Sequence, residues 1–377
     1  MKGALVVRSP FRPSFGTNPP LVAGRDALVA EIADALDGGP GSPGRAALFT
    51  GNRGIGKTVM LNETEAQARE RGWLVVSETA TRGLLDRLVT EGLPELAAQL
   101  RQGPAGRRRI SGVTLPGHLG GLDFDLPPGE ATGGLRTQLN ALTEILDGHD
   151  TGLLITLDEV HSRAGRDDVG QLCAVVQHAF REERPVAFAA AGLPAAVQDL
   201  LSSDVSTFLR RARRFVLEPL TPVASEEALR VPIGRASRVI ADADLTTAAA
   251  GTFGYPFLIQ LVGDQMWRQD PDAATITAEH VASGLAAARR EIGAGVHEPA
   301  LNDLSETDRE FVKAMAPDQQ ESAVADIESR MGRDHGYVSR YRSRLIVAGI
   351  VEPTRRGYLD FTIPYLREFV RENLDRL

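Results

Sequence analysis

The chain has 377 residues and a formal net charge of −8 at pH 7, with 42% hydrophobic and 24% charged residues. This composition predicts a globular protein of two or three domains and excludes a disordered chain. A single cysteine excludes a disulfide framework and a cysteine metal site. The apolar runs are too short to cross a bilayer and no secretory signal is evident, so we expect a cytoplasmic protein without a membrane partner.

Lysine is scarce in this sequence. The only lysines are Lys2, Lys57 and Lys313, and the other 39 basic residues are arginines. A GC-rich coding background explains such a bias. A lysine that persists at a demanding position is therefore informative, and a cluster of arginines is less informative than in a balanced chain.

Residues 1–20 are rich in proline and arginine and predict an extended lead-in. Hydrophobic periodicity then predicts helices alternating with short apolar strands. The predicted helices are 26–36, 58–71, 84–100, 135–146 and 169–183, and the predicted strands are 46–50, 73–77, 153–157, 186–191 and 215–217. This alternation is typical of βαβ units and a mostly parallel sheet. Residues 101–132 interrupt the rhythm and predict an inserted hairpin or long loop.

The strand pattern ends after Pro219. Residues 222–300 predict helices only, with breaks at Pro232, Gly254–Pro256 and Pro271. From Ser305 a third segment begins, with three short helical patterns followed by two strands that flank Arg355–Gly357. This segment looks like a winged helix.

The motif with the clearest chemistry follows the first predicted strand. Gly51, Asn52, Arg53, Gly54, Ile55, Gly56, Lys57 and Thr58 fit G-x-x-x-x-G-K-[ST] in full. Glycines let the backbone approach phosphate oxygens closely, and the following helix adds its positive N-terminal end. We expect Lys57 to reach the β- and γ-phosphates of ATP and the Thr58 hydroxyl to bind Mg²⁺.

Two acids end a second apolar strand. Residues 153–157 are followed by Asp158 and Glu159. We expect Asp158 to bind Mg²⁺ beside the phosphate loop and Glu159 to polarise the attacking water.

These motifs together resemble an AAA+ ATPase of the initiator and loader-like branch, the origin-recognition-like proteins, close to the STAND ATPases. Supporting markers are Val22–Arg25, the turn at 190–194 and Gly254–Tyr255–Pro256. The resemblance implies an αβα P-loop nucleotide domain over 21–220, an α-helical lid over 221–302 that encloses ATP, and a winged helix over 303–377. It also implies that Val22, Arg25 and Pro256 contribute to the nucleotide site.

The sequence departs from the family pattern at two places. The stretch 188–192, at the end of the fourth predicted strand, offers no polar side chain to position water. Gly254–Tyr255–Pro256 stands where the lid often supplies an arginine. Missing charge near the γ-phosphate removes transition-state stabilisation, so we expect slow hydrolysis and a switch rather than a motor. The Gly-Tyr-Pro turn is also consistent with a simple helix break.

Arginines precede the fifth strand, at Arg210, Arg211, Arg213 and Arg214. The family resemblance implies that an arginine here reaches the ATP site of a neighbouring subunit, which would make the protein a homo-oligomer with ATP. The alternative is a solvated basic helix end.

The C-terminal segment carries a local positive charge. Residues 330–357 contain seven arginines and two acids, which gives a local net charge of +5. The predicted recognition helix, 337–345, contains Arg340, Arg342 and Arg344, and the predicted wing contains Arg355 and Arg356. This pattern favours contact with double-stranded DNA, although winged helices also dock proteins.

The sequence therefore predicts an ATP-controlled switch that assembles on DNA, of the initiator, loader or transposition-regulator type. The alternative is a STAND-like signalling or defence ATPase that binds a protein partner. A free-standing metabolic P-loop enzyme is disfavoured, because neither the lid nor the winged helix offers a second substrate pocket.

Overall fold

The computed structural model describes residues 8–14, 16–101, 134–160, 163–202 and 209–375. Most of the predicted insertion at 101–132 lies outside these residues. The chain forms two compact units. The sheet unit comprises Asp26–Thr50 and Lys57–Val216, and the helical unit comprises Met1–Arg25, Gly51–Gly56 and Leu217–Leu377.

A five-stranded parallel sheet forms the centre of the sheet unit. The strands are β1 (Ala46–Thr50), β2 (Leu74–Thr79), β3 (Leu153–Asp158), β4 (Val186–Gly192) and β5 (Arg213–Val216). Their order in the sheet is β2-β3-β4-β1-β5. All seven residues of β4 are buried, as are the first five of β3. Strands that are apolar on both faces are typical of parallel sheets covered by helices.

Seven helices belong to the same unit within the described residues. They are α1 (Asp26–Asp37), α2 (Lys57–Glu70), α3 (Leu84–Arg87), α4 (Leu93–Arg101), α5 (Leu135–Asp147), α6 (Arg166–Arg181) and α7 (Pro194–Ser202). Helix α2 packs across β1, β2, β3 and β4, and α6 packs on β4. The buried Leu139 and Leu146 of α5 and Leu172 of α6 join one core with the strands. The predicted α/β P-loop fold is confirmed.

The first part of the helical unit contains five helices, α8 (Pro222–Arg235), α9 (Asp242–Ala250), α10 (Pro256–Gln269), α11 (Ala278–Ile292) and α12 (Glu298–Asn302). Two sequence predictions fail here. Helix α8 continues through Pro232. The proline lies in the last turn of the helix, so only a few helical residues follow it. The segment also contains a short parallel pair, β6 (Val239–Ile240) and β7 (Thr275–Ile276), which is too short to produce a hydrophobic pattern.

The C-terminal segment combines helices with a three-stranded sheet. Its helices are α13 (Glu306–Met315), α14 (Val324–Met331), α15 (His335–Val347) and α16 (Leu366–Glu372), and its strands are β8 (Ser322–Ala323), β9 (Val351–Arg355) and β10 (Tyr358–Phe361). The sheet is antiparallel in the order β8-β10-β9. A tight turn at Arg356–Gly357 joins β9 to β10, and Gly357 adopts a φ of 82° that favours glycine.

No helix in the described part of the chain is long and apolar enough to cross a membrane.

Candidate nucleotide-binding site

The glycine-rich loop runs from the end of β1 to the start of α2. Thr50 ends the strand and Lys57 begins the helix. Gly54 and Gly56 adopt φ values of 71° and 96°, which residues with a side chain rarely adopt. A loop of this conformation turns successive backbone N–H groups towards one side and leads directly into a helix N-terminus. This is the arrangement that binds phosphate oxygens.

Two side chains predicted to bind Mg²⁺ are in direct contact. The Thr58 hydroxyl donates a hydrogen bond to Oδ2 of Asp158, at 2.6 Å. Thr58 lies in the first turn of α2 and Asp158 ends β3, so the packing of this helix on this strand brings together residues 100 positions apart. Hydroxyl and carboxylate oxygens are the hard donors that Mg²⁺ prefers, and the donor set fits this ion. The described residues contain no group of three or more His, Cys, Asp or Glu side chains that could hold a metal alone. The phosphates and water would have to complete the coordination.

Glu159 follows Asp158 in a left-handed backbone conformation, with a φ of 56°. Its backbone N–H donates to Oδ1 of Asp158 at 2.7 Å, so both oxygens of that carboxylate accept a hydrogen bond. This conformation is uncommon for a residue with a side chain and is concentrated at functional sites. The Glu159 residue is exposed at the carboxyl end of the sheet, where parallel-sheet enzymes bind ligands.

Strand β4 supplies no polar side chain near its end. Phe188, Ala189, Ala190, Ala191 and Gly192 are all buried, and four of the five are small. The structure therefore agrees with the absence of a water-positioning residue at this strand.

Within the helical unit, Tyr255 contacts the phosphate loop. Its hydroxyl donates to the carbonyl oxygen of Arg53 at 2.5 Å, and a Cβ atom at Gly54 would collide with the Tyr255 ring. Burial raises the pKa of Tyr255 above its usual range, so the hydroxyl stays protonated and can donate. Sequence reasoning singled out Pro256 of this turn, which begins α10. It assigned no role to Tyr255, because the contact with the phosphate loop joins residues that are 202 positions apart.

Asn52 of the loop also contacts the C-terminal segment. Its Nδ2 donates to Oε2 of Glu352, on strand β9, at 3.0 Å. The two residues are 300 positions apart and both belong to the helical unit. No pattern in the sequence indicated this contact.

The segment ahead of α1 is held by Arg25. Its guanidinium donates to the carbonyl oxygen of Glu218 at 2.6 Å. Burial lowers the pKa of Arg25, and the nearby Glu218 partly opposes that effect. Val22 is half-buried in the same segment. The contact of Arg25 holds this segment to the chain that follows the sheet, which is a structural role.

The comparisons with known proteins agree with this geometry. A family profile described as AAA ATPase domain matches residues 21–188, the range that contains the loop, Asp158 and Glu159. Residues 21–188 are therefore similar to an AAA ATPase domain. The predicted resemblance to the AAA+ ATPases is thereby confirmed. A second profile, described as a domain of unknown function (DUF8462), matches residues 294–370. None of the curated proteins is significantly similar to the chain in sequence.

Solved structures share the fold of the whole chain. The Walker-type ATPase PABY2304 of Pyrococcus abyssi is 14% identical with a TM-score of 0.67, and the match covers 94% of this chain and 97% of that one. The ORC2 protein of Aeropyrum pernix, in ADPNP–ADP complexes, is 14% identical with a TM-score of 0.65, covering 96% and 97%. At this identity the likeness is one of fold, and it agrees with the αβα P-loop fold predicted from the sequence.

The four arginines near β5 fall into two pairs. Arg210 donates from Nε to the carbonyl oxygen of Leu201 at 2.7 Å, and Arg213 pairs with Glu31 of α1. Hydrogen bonding to Glu31, more than Coulomb attraction, raises the pKa of Arg213. Arg211 and Arg214 are exposed, and neither side chain has an ion pair or hydrogen bond in the described part of the chain. Of the four, Arg213 alone is paired with a carboxylate in the described part of the chain, and Arg211 and Arg214 are the two whose guanidinium groups have no partner there.

The C-terminal arginines divide in the same way. Arg344 pairs with Asp308, a carboxylate that is buried, at 2.6 Å. Arg355 donates to Glu321 at 2.6 Å and stacks on Tyr358. The remaining predicted DNA contacts are Arg340, Arg342 and Arg356, whose side chains have no ion pair with any described residue. Five predicted contacts thus reduce to three guanidinium groups that are not already neutralised.

Proposed function

We propose that the chain is an ATP-binding molecular switch that hydrolyses ATP slowly. The observation that carries this proposal is the 2.6 Å hydrogen bond between Thr58 and Asp158, which unites the phosphate-loop hydroxyl with the acid at the end of β3. An unrelated glycine loop that fits the motif by chance would have no reason to meet a carboxylate here. The ORC2 protein of Aeropyrum pernix, which shares the fold, was solved with ADPNP and ADP.

Each part of the site has a chemical task in this proposal. The N–H groups of Gly51–Gly56 and the ammonium of Lys57 bind the phosphates. Thr58 and Asp158 would hold Mg²⁺, which when bound would offset the negative charge of the phosphate oxygens. Glu159, exposed beside Asp158, accepts a proton from the attacking water. Because β4 contributes no polar group, we expect a turnover well below the roughly 1–10 s⁻¹ of ordinary enzymes.

Glu159→Gln separates binding from hydrolysis. Loss of the base should lower ATP turnover by about 100-fold, within the usual range for acid–base catalysis, and should change affinity for ADPNP by less than about twofold. Glu183→Gln is the matched control, because Glu183 is also exposed in the same unit and also has a left-handed backbone, with a φ of 55°. Equal turnover of the two variants would contradict the role of Glu159.

The exposed pair Arg211 and Arg214 supports ATP-dependent self-association. A guanidinium group can bind two oxygens of a phosphate at once, and these two are the arginines near β5 whose side chains have neither an ion pair nor a hydrogen bond with a described residue. Arg211→Ala combined with Arg214→Ala should leave a monomer in ADPNP, measured by light scattering. If the wild type is itself monomeric with ADPNP, the self-association proposal fails.

We further propose that residues 303–377 form a winged helix that binds double-stranded DNA in the cytoplasm, with residues 21–220 as the nucleotide domain and 221–302 as the lid. The support is the group Arg340, Arg342 and Arg356, on helix α15 and at the turn after β9. Phosphate backbone is the ligand that such unpaired guanidinium groups suit best.

A STAND-like ATPase that binds a protein partner is the second candidate. The contact between Tyr255 and the phosphate loop favours it, because it couples the Gly-Tyr-Pro turn directly to the nucleotide site. Particle size measured with ADPNP and with ADP, each with and without duplex DNA, separates the two. A size change that requires DNA supports the first candidate, and one that ignores DNA supports the second.

A further inference from the structure

Two polar pairs, and not one, connect helix α2 to strand β3. Besides Thr58 and Asp158, the hydroxyl of Thr156 donates to Oε1 of Glu65 at 2.6 Å. Thr156 is fully buried and Glu65 is 7% exposed. The other carboxylate oxygen of Glu65 accepts a hydrogen bond from Arg69, one turn further along the helix, at 2.9 Å. Both oxygens of this buried carboxylate are therefore satisfied within the sheet unit.

The spacing of the two pairs explains how they act together. Glu65 lies seven positions after Thr58, which is close to two helical turns and about 10 Å along the axis. Thr156 and Asp158 are two positions apart, on one face of β3 and about 7 Å from each other. Thr58, at the start of α2, contacts Asp158, at the end of β3. Glu65, further along α2, contacts Thr156, which lies earlier in β3. Two contacts spaced in this way fix the position of α2 along β3.

Packing a helix on a sheet through a buried carboxylate carries a large desolvation cost. Burying such a charge costs several kcal/mol before its hydrogen bonds are counted, and an apolar pair of similar size often packs as well. Apolar packing, however, tolerates a small slide of the helix, whereas a short hydrogen bond to one hydroxyl does not. The polar pair therefore restricts position more than it adds stability.

We propose that Glu65 and Thr156 are positioning residues for the Mg²⁺–nucleotide site. Neither residue is assigned contact with the ligand. They set the position of the Thr58 hydroxyl relative to the Asp158 carboxylate, so that the two groups could bind one cation. Because the distance from an oxygen to Mg²⁺ is restricted to 2.0–2.1 Å in general, a slide of a few tenths of an ångström disturbs metal binding before it disturbs the phosphate loop. This inference rests on the proposed ATP site.

Thr156→Val removes the hydroxyl and keeps the shape of the side chain. ADPNP binding is measured by calorimetry in EDTA and across a Mg²⁺ titration. We expect the half-saturating Mg²⁺ concentration to rise about tenfold, as for the loss of one charge-assisted hydrogen bond, and affinity in EDTA to change less than about twofold. The matched control is Thr64→Val. Thr64 is buried like Thr156 but lies on α2, and the hydrogen bond that its hydroxyl makes with a described residue goes to the Met60 carbonyl of the same helix.

The quantity compared between the variants is the half-saturating Mg²⁺ concentration, called here the Mg²⁺ midpoint. A Thr156→Val midpoint equal to that of the wild type would overturn the inference, as would an equal shift in Thr64→Val. If Thr156→Val does not fold, Thr156→Ala and Thr156→Ser carry the test, since both lose the methyl group and only Ser keeps the hydroxyl. Equal midpoints for that pair would also overturn it. Failure of the wild type to bind ADPNP at all would instead contradict the proposed ATP site.

Discussion

His297 is buried in the turn between α11 and α12. Its Nε2 lies 2.8 Å from the carbonyl oxygen of Pro364, its Nδ1 has no partner among the described residues, and its ring packs against Phe369. Burial lowers the pKa of His297 to about 4, with a smaller contribution from Arg289, while the hydrogen bond to Pro364 opposes the shift. The neutral ring donates from Nε2, and protonation would place an unpaired charge in the core.

This burial predicts a pH dependence of stability. The unfolded chain takes up a proton near pH 6.5, whereas the folded chain does so only near the lowered pKa of about 4. Stability is therefore full above pH 6.5 and is lost as the pH falls towards 4. From pH 7 to pH 5 the free energy of unfolding should fall by about 2 kcal/mol from this residue. In denaturant titrations, the free energy of unfolding of His297→Gln should not show this decrease of about 2 kcal/mol between pH 7 and pH 5. The control variant His178→Gln, at a half-buried position, should still show it.

Arginine pairing is a property that residue type alone does not disclose. Arg344 was predicted as a DNA contact, but in the structure it forms an ion pair with Asp308. Without Arg344, Asp308 would be a buried carboxylate without a counter-ion. Arg340 lies one turn earlier on the same helix, and no described residue pairs with its side chain. The sequence places both on one face of α15. It does not reveal that α13 brings a carboxylate to only one of them.

At the scale of elements, apolar runs predicted the sheet well. Strand β1 has the predicted bounds, and the predicted limits of β3 and β4 differ by one residue, because continuous buried runs are a strong signal for central parallel strands. Edge strand β5 begins two residues earlier than predicted, at two exposed arginines that pair with β1 through backbone only. The helix predicted over 84–100 is interrupted by a π-helical turn at Leu88–Gly92. Helix α7 was not predicted.

The turn between α9 and α10 should influence nucleotide affinity through Tyr255. Tyr255→Phe removes the hydrogen bond to the Arg53 carbonyl and leaves the ring in place, so the loop loses one of its constraints. Loss of a single hydrogen bond should weaken ADPNP binding by about three- to tenfold, measured by calorimetry. Tyr365→Phe is the control, because that hydroxyl donates to the Gly251 carbonyl and not to the loop. Equal affinities of the two variants would show that the turn does not act on the loop.

At the scale of the molecule, the loop contacts made by Tyr255 and Glu352 were beyond sequence reasoning. Each joins residues that are 202 or 300 positions apart, and neither follows from a local pattern. The motif residues Lys57, Thr58 and Asp158 were predictable because their chemistry demands fixed residue types at the start of α2 and the end of β3. Contacts that depend on how later helices pack carry no such requirement.

DNA binding by an acidic protein must depend on few residues. Arg340→Ala, Arg342→Ala and Arg356→Ala combined should abolish a gel shift of duplex DNA at moderate salt, and the slope of log affinity against log salt should fall by about 2–3. The control combines Arg82→Ala, Arg181→Ala and Arg290→Ala, which are exposed and remove the same charge outside residues 303–377. A similar loss in both variants would indicate a general charge effect and would contradict a specific DNA surface.

The lysines provide the most direct test of the ATP site. Lys57 and Lys313 are the two lysines in the described chain, the first at the phosphate loop and the second in α13. ADPNP affinity measured by calorimetry with Mg²⁺ should fall at least about 100-fold in Lys57→Ala, because the phosphates lose a charge-assisted contact inside the loop. Lys313→Ala should bind as the wild type does. Equal binding by Lys57→Ala and the wild type would contradict the account.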